Sequence, residues 1–491
     1  MKRFSKEERS WIMYDWANSA FATIMLAAVF PVFFVTMAGG DYVTMACGEY
    51  KTNAYGVYEA IVCGECATMA CGEDVILERT LGSIWWARGI AIARLALGIA
   101  APIIGAIIAY KGYKMRLLIT FISLGILFHL FLAFQATWQM LLVGYIFANI
   151  FWSASNIIYD SYLPDVTTKD RMDKVSAWGY AMGYIGGSTI PFLISILLII
   201  FGTQFPVWVH GADWAYIEGA SFWANFPYID NTMAVRISIV MTAVWWAIFS
   251  VPMIRDVRHK YGVDVPPKGM ITDALKTTLA TAKKIVKNKG LFIFIIAYFF
   301  YIDGVGTVIG IATAYGTELG LGAVGMIGAL FVMQLVAMPF SILFGKLADR
   351  FNSINIIIGA ICIYLVICGM GFVMGFGMEG ERWFGADVAI MMFWALAFMV
   401  GTVQGGIQAT SRAIYARLIP PENSGEYFGF FEIFGRFAAI LGPFLYATIL
   451  SITGRPYFAM LSIVFVFIVG LVLLIYGKKH LKLRPAREAS A

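Results

Sequence analysis

Long apolar runs recur along the whole chain, separated by short polar clusters. A helix needs about 20 mostly apolar residues to cross the ~30 Å hydrocarbon layer of a bilayer. Twelve runs satisfy that length, at residues 12–37, 82–110, 115–135, 138–160, 176–201, 233–254, 291–316, 323–345, 354–377, 387–411, 428–451 and 457–476. The pattern predicts an all-α membrane protein of twelve spanning helices. The longest polar interval inside that series, residues 255–290, divides it into six spans within 1–254 and six within 291–491. This interval holds Pro266 and Pro267 and then a stretch of alternating apolar and basic residues from Ile271 to Lys289. Such a stretch reads either as an amphipathic helix at the lipid headgroups or as a solvated linker helix.

Charge fixes an expected orientation. With the N-terminus inside, the interior segments carry 28 Lys and Arg, while the exterior loops carry four: Lys51, Arg79, Arg382 and Arg455. Basic residues are retained on the cytoplasmic side of short loops, so both termini are expected in the cytoplasm, in a bacterial inner membrane. The net charge of +6 is thus a topology signal, and no soluble basic domain is present that would bind nucleic acid. Composition agrees: 60% of the 491 residues are hydrophobic and 13% charged, far more apolar than a soluble chain. The first run follows a basic start, as a secretory signal does. It is longer than a signal core and includes Asp15 and Trp16, so it is read as a retained span.

The two six-span sets align at an offset of 256 residues. Ser155, Tyr159, Pro164, Gly179 and Gly186 match Ser411, Tyr415, Pro420, Gly435 and Gly442. A duplicated half with a solute site between the copies near the bilayer midplane is a recurring carrier architecture. A turn with an acid-base pair, Gly345 to Arg350, has a weaker partner between Gly105 and Gly112.

Three segments carry a family resemblance: Tyr14 to Phe21 in the first run, Tyr301 to Val305 in the seventh and Gly405 to Arg412 in the tenth. They resemble the "unknown major facilitator" family, which includes the autophagy-related vacuolar amino-acid effluxers. The resemblance covers both halves and implies the major facilitator fold, two pseudo-symmetric six-helix bundles, and secondary transport of a small solute such as an amino acid, peptide or organic anion. In that fold the first, fourth, seventh and tenth spans line a central cavity. The outer loop at 40–80 is expanded relative to the family pattern, and Arg88 and Arg94 stand in the second span.

Ionisable residues inside spans are costly, so each is a functional candidate. Asp303, near the middle of the seventh run and flanked by Gly304 and Gly306, reads as a site coupling transport to a proton or sodium ion. The bland alternative is a neutral acid bonded to a neighbouring helix. Asn149, Ser153, Asn156 and Asp160 share one helical face of the fourth run, and Gln404, Gln408 and Arg412 one face of the tenth. Both stripes are cavity candidates, with polar contact between helices as the alternative. Asp15 and Asn18 stand at the cytoplasmic mouth of the first run, where helix capping competes with solute binding. Arg88 is favoured over Arg94 as a cavity residue for an anionic solute. Asp349 and Arg350, with Glu432 and Arg436 of the eleventh run, are expected to form a cytoplasmic gate.

Cys47, Cys63, Cys66 and Cys71 crowd the outer loop, where Thr44 to Glu49 recurs letter for letter as Thr68 to Glu73. Two disulfides are the first reading and a metal site the second; no other cofactor is expected. The aromatic loop at 202–232 suits a membrane interface. Nucleotide-binding glycine-lysine loops, serine-histidine pairs and histidine metal clusters are missing, and the chain has four His. An ATP-driven pump and an enzyme are therefore disfavoured. The expectation is a monomeric, ion-coupled carrier, against a non-transporting receptor built on the cysteine loop or a carrier of a metal or metal chelate.

Overall fold

A computed structural model of the chain describes residues 4–47, 50–52, 58–60, 70–205, 208, 228–263, 270–318, 323–378, 383 and 385–481. Among the described residues twelve helices are long and apolar enough to cross a membrane: Lys6–Ala38, Ile84–Ile108, Tyr113–Ala133, Trp138–Ser161, Met172–Gln204, Asn231–Asp256, Lys289–Ala312, Gly328–Arg350, Ser353–Met378, Asp387–Leu418, Pro421–Thr453 and Pro456–Lys478. They are called the first to twelfth spans. Each corresponds to one apolar run, and several extend past it because polar ends continue the helix. One short antiparallel hairpin, Tyr50–Thr52 against Tyr58–Ala60, interrupts the all-α picture after the first span. Large apolar side chains point outward around the bundle; Ile99, Leu127, Ile248, Phe444 and Phe465 are each more than half exposed. In water such a belt would be unfavourable, whereas in a bilayer hydrocarbon replaces water against it.

With twelve spans, the first begins and the last ends on one face, called here the terminal face. The first span starts with a capping box, Glu8 N donating to Ser5 Oγ at 3.1 Å and Ser5 N to Glu8 Oε2 at 2.7 Å. Asp15 lies nearly three turns further in, so it does not cap this helix. The Glu8 carboxylate also takes Arg171 Nη2 at 2.7 Å, tying the first span to the start of the fifth.

The internal repeat is visible as geometry. In the first half Tyr14 of the first span donates to Ser155 Oγ of the fourth at 2.9 Å; in the second half Tyr301 of the seventh meets Ser411 of the tenth at 2.7 Å. The partners lie 141 residues apart in the first half and 110 in the second, because the loop after the first span is longer than its counterpart. Gly186 of the fifth span faces the Trp16 ring of the first, and Gly442 of the eleventh faces Thr307 and Asp303 of the seventh. Asp303 therefore occupies the position that Trp16 holds in the first half.

The halves meet through the second and eleventh spans and through the fifth with the eighth and tenth. These contacts concentrate toward the terminal face. A Cβ added at Gly105 would lie 2.6 Å from the Gly425 carbonyl oxygen, and one at Gly429 would lie 2.7 Å from that of Ala101. Only glycine permits that backbone approach. The helix Met270–Lys287 spans this seam, Thr278 Oγ1 donating to Pro102 O at 3.3 Å and Thr281 Oγ1 to Glu426.

Lys114, counted as a loop charge in the sequence, is fully buried. Its ammonium donates to Asp165 Oδ2 at 2.7 Å, Ser161 O at 2.8 Å and, across the halves, Ser424 Oγ at 3.2 Å. Removing one partner of a buried ion pair costs about 3–5 kcal/mol. Lys114→Met is therefore expected to lower the thermal unfolding midpoint of the purified protein by several degrees, and an unchanged midpoint would show the pair to be dispensable.

Candidate functional site

Between the halves lies a cavity of about 400 Å3 lined by residues of the first, fourth, fifth, seventh, eighth, tenth and eleventh spans. Two of its wall helices are locally widened into π-helical turns, Ala22–Ala28 in the first span and Gly183–Thr189 in the fifth. Such turns often mark functional positions. Ala22, Thr23, Gly183, Tyr184 and Ser188 of these turns all reach the lining.

Arg412 forms the floor on the terminal side. The side chain belongs to the second half, yet its bonds run to the first: Nη1 donates to Asp160 Oδ1 at 2.8 Å, Nη2 to Asp15 Oδ2 at 3.2 Å, and Nε to Ser176 Oγ at 2.9 Å. Nη2 also donates to the Ser176 carbonyl at 3.1 Å. The guanidinium stacks over the rings of Trp11 and Tyr180, with centroids 4.7 and 4.5 Å away. Tyr159 donates to the same Asp15 oxygen at 2.7 Å. A buried guanidinium is stable only when its donors are filled by charge-assisted bonds, and here one arginine holds two acids from two helices of the opposite half. Below it a second tie joins the halves. Arg417 of the tenth span takes Asp173 of the fifth, Nη1 to Oδ2 at 2.6 Å, and also donates to Ser353 Oγ at 2.8 Å.

The cavity brings together Asp15, Asn18, Asn156, Asp160, Gln404, Gln408, Arg412 and Glu432. Asn18 Nδ2 donates to Asn156 Oδ1. Other candidates fall elsewhere. Asn149 and Ser153 share the helical face of Asn156 but are buried in packing, bonded along their own helix: Asn149 Nδ2 to Tyr145 OH at 3.2 Å and Ser153 Oγ to Asn149 Oδ1 at 3.2 Å. Arg88 does not line the cavity. It is exposed near the start of the second span and lies over Trp85 at 4.7 Å, as expected of a residue reaching for the interface. Asp303 does not line it either, because its helix turns that face toward the eleventh span. There it is fully buried, with the Gly442 backbone beside its carboxylate and no described side chain donating to either oxygen.

The expected gate is also rearranged. Asp349 lies half-buried in the field of Asp173, Lys174, Arg417 and Arg171. Arg350 is exposed over Phe351, and Glu432 faces the cavity instead of the turn. The side chain of Arg436 lies outside those described. Cys63 and Cys66 lie outside the described residues, as do the side chains of Cys47 and Cys71. Sequence reasoning missed Ser176, Asp173, Arg417 and Tyr180, which stand at span ends where polar residues are ordinary. Gly179, one of the residues matched in the offset repeat and packed against Asp15 and Arg412, was the available pointer to that corner.

Two six-span halves around a polar cavity define a transporter of the major facilitator type. The chain belongs to the family described as "Vacuole effluxer Atg22 like", which matches residues 4–482. It is 37% identical over 478 residues to the "Uncharacterized MFS-type transporter YxiO" of Bacillus subtilis (strain 168), covering 97% of this chain and 96% of that protein. It is 26% identical over 308 residues to "Autophagy-related protein 22-2" of Aspergillus clavatus, covering 59% of this chain and 46% of the fungal protein. Among solved structures, the human organic anion transporter MFSD10 (TETRAN) superposes with TM-score 0.58 at 11% identity, covering 96% of this chain and 99% of that one. The proton:xylose symporter XylE superposes with TM-score 0.59 at 10% identity, covering 96% and 94%. These likenesses concern the fold.

Proposed function

We propose that this chain is a secondary carrier that moves a small solute through the central cavity by alternating access, coupled to a proton or sodium ion and working as a monomer. The terminal face is the cytoplasmic side of a bacterial inner membrane, and the form described here is closed on that side. The observation that carries this reading is Arg412, a residue of one half bonded to Asp15 and Asp160 of the other beneath the cavity. Opening toward the cytoplasm requires those bonds, and the Arg417–Asp173 tie below them, to break together.

Solute binding is assigned to Asn18, Asn156, Gln404 and Gln408, with Asp15, Asp160 and Arg412 both binding and latching. An organic anion fits poorly, since the described lining carries three carboxylates against one guanidinium. Asp303 is assigned to ion coupling. A buried carboxylate charge without a partner is costly, and a bound proton or cation removes that cost.

The test is accessibility of the cavity from each side. Gln408→Cys, compared with the parent protein, should react with a membrane-impermeant thiol reagent from the periplasmic side and slowly from the cytoplasmic side. Equal reaction from both sides would make the cavity a pore or a static cleft.

A further inference from the structure

A second, apolar cavity of about 60 Å3 lies inside the second half, among the seventh, eighth, ninth, tenth and twelfth spans. It shares Ile309, Leu330 and Met333 with the central cavity, so a polar room and an apolar alcove lie side by side across those three side chains. Val308, Phe393 and Val400 complete the alcove walls. The hydroxyl of Tyr315, also in the lining, is already used, donating to Gly371 O at 2.6 Å. Among the described lining residues no free polar group is offered to a ligand there, and the volume accepts about four or five heavy atoms.

The rim of the alcove is different. Gln404, one helical turn from Val400 and 4% exposed, has its Oε1 buried without a hydrogen-bond partner. Gln334, next to Met333, likewise has a buried Oε1 without a partner. Both residues line the central cavity. A buried amide oxygen left without a donor is costly, so each of these two side chains of the polar room marks a place where a donor would be stabilised. The nearby formal charge is negative, from Asp15, Asp160 and Glu432 against Arg412, and the rings of Trp152, Tyr180 and Tyr184 face the same space. Acids and aromatic faces together favour a cation.

We propose that the carrier recognises an amphipathic amine without a carboxylate of its own: an ammonium group donating to Gln404 and Gln334, and an apolar arm of about four or five carbons in the alcove. This rests on the reading of the central cavity as the solute path and names the chemistry of its occupant. Gln404 and Gln334 set the head group; Leu330, Met333 and Val400 set the arm.

The test uses the full chain in lipid nanodiscs with ethylamine, n-pentylamine and hexanoate as probes, read by calorimetry. Burying a methylene is worth about fourfold in affinity, so n-pentylamine should bind on the order of 50-fold tighter than ethylamine. Hexanoate should bind more weakly than n-pentylamine. Ala397→Phe, which fills the alcove from its wall, should erase the gain from chain length while ethylamine still binds, which also shows the variant to be folded. Gln404→Leu should weaken both amines about tenfold and keep the gain. Tighter binding of hexanoate, absence of any chain-length gain, or binding of no probe overturns the assignment. None of these touches the carrier reading, which the sidedness of Gln408→Cys labelling decides separately.

Discussion

Arg412→Gln is expected to open the cytoplasmic side of the carrier, raising labelling of Gln408→Cys from that side at least about tenfold and abolishing accumulation of solute against a gradient. The substitution removes the cation from between Asp15 and Asp160 and leaves both acids without their shared partner, a loss of about 3–5 kcal/mol for a buried pair. About 1.4 kcal/mol is a tenfold change in an equilibrium constant, so even part of that loss moves the balance between the two forms well past the threshold of detection. Arg412→Lys should restore little. A lysine keeps the charge but has neither the planar fork that reaches Asp15, Asp160 and Ser176 together nor the flat face that lies on Trp11 and Tyr180. Wild-type sidedness in the Gln variant would remove the latch.

Asp303→Asn should uncouple the carrier. The amide keeps the shape of the side chain at the seam with Gly442 and Thr307 but cannot load and release a proton or hold sodium as a carboxylate does. In the parent protein the sidedness of Gln408→Cys labelling is expected to shift with external pH or with sodium. In the Asn variant that response should be lost, while folding and exchange of solute persist. If Asp303 serves only as a buried hydrogen-bonding group, both proteins will respond to the ion alike, and the coupling role falls.

The twelve spans were legible because each is a long apolar run, and the duplication was legible where the two halves keep the same spacing, around Ser155 and Ser411. The match between Tyr14 and Tyr301 was hidden by the longer loop between the first and second spans, which breaks the common offset. Half of the cavity was also legible. Asn156 and Asp160 on the fourth span and Gln404, Gln408 and Arg412 on the tenth point inward as their helical faces suggest.

What failed has a common cause: sequence gives the relative angle of residues on one helix but not where the neighbouring helices stand. Asn149 and Ser153 share the face of Asn156 yet sit under packed side chains. Asp303 is central in its span yet faces a helix seam, and its equivalence to Trp16 could be seen only once the halves were superposable through their Tyr–Ser bonds. Lys114 was hidden for another reason. A lysine at a span boundary is the usual topology signal, and nothing local separates it from one that pairs with Asp165 in the interior.

The central claim is that the two halves rock about the cavity and that the Arg412 floor opens in one of the two forms. Distances between spin labels placed at Lys169 and Lys346, exposed positions on the terminal face in opposite halves, measure this directly. The account predicts a short, dominant population in the parent protein in lipid nanodiscs, a second, longer population whose share changes with the coupling ion, and a shift toward the longer one in Arg412→Gln. A single unchanging distance in parent and variant, under every ionic condition, would contradict it.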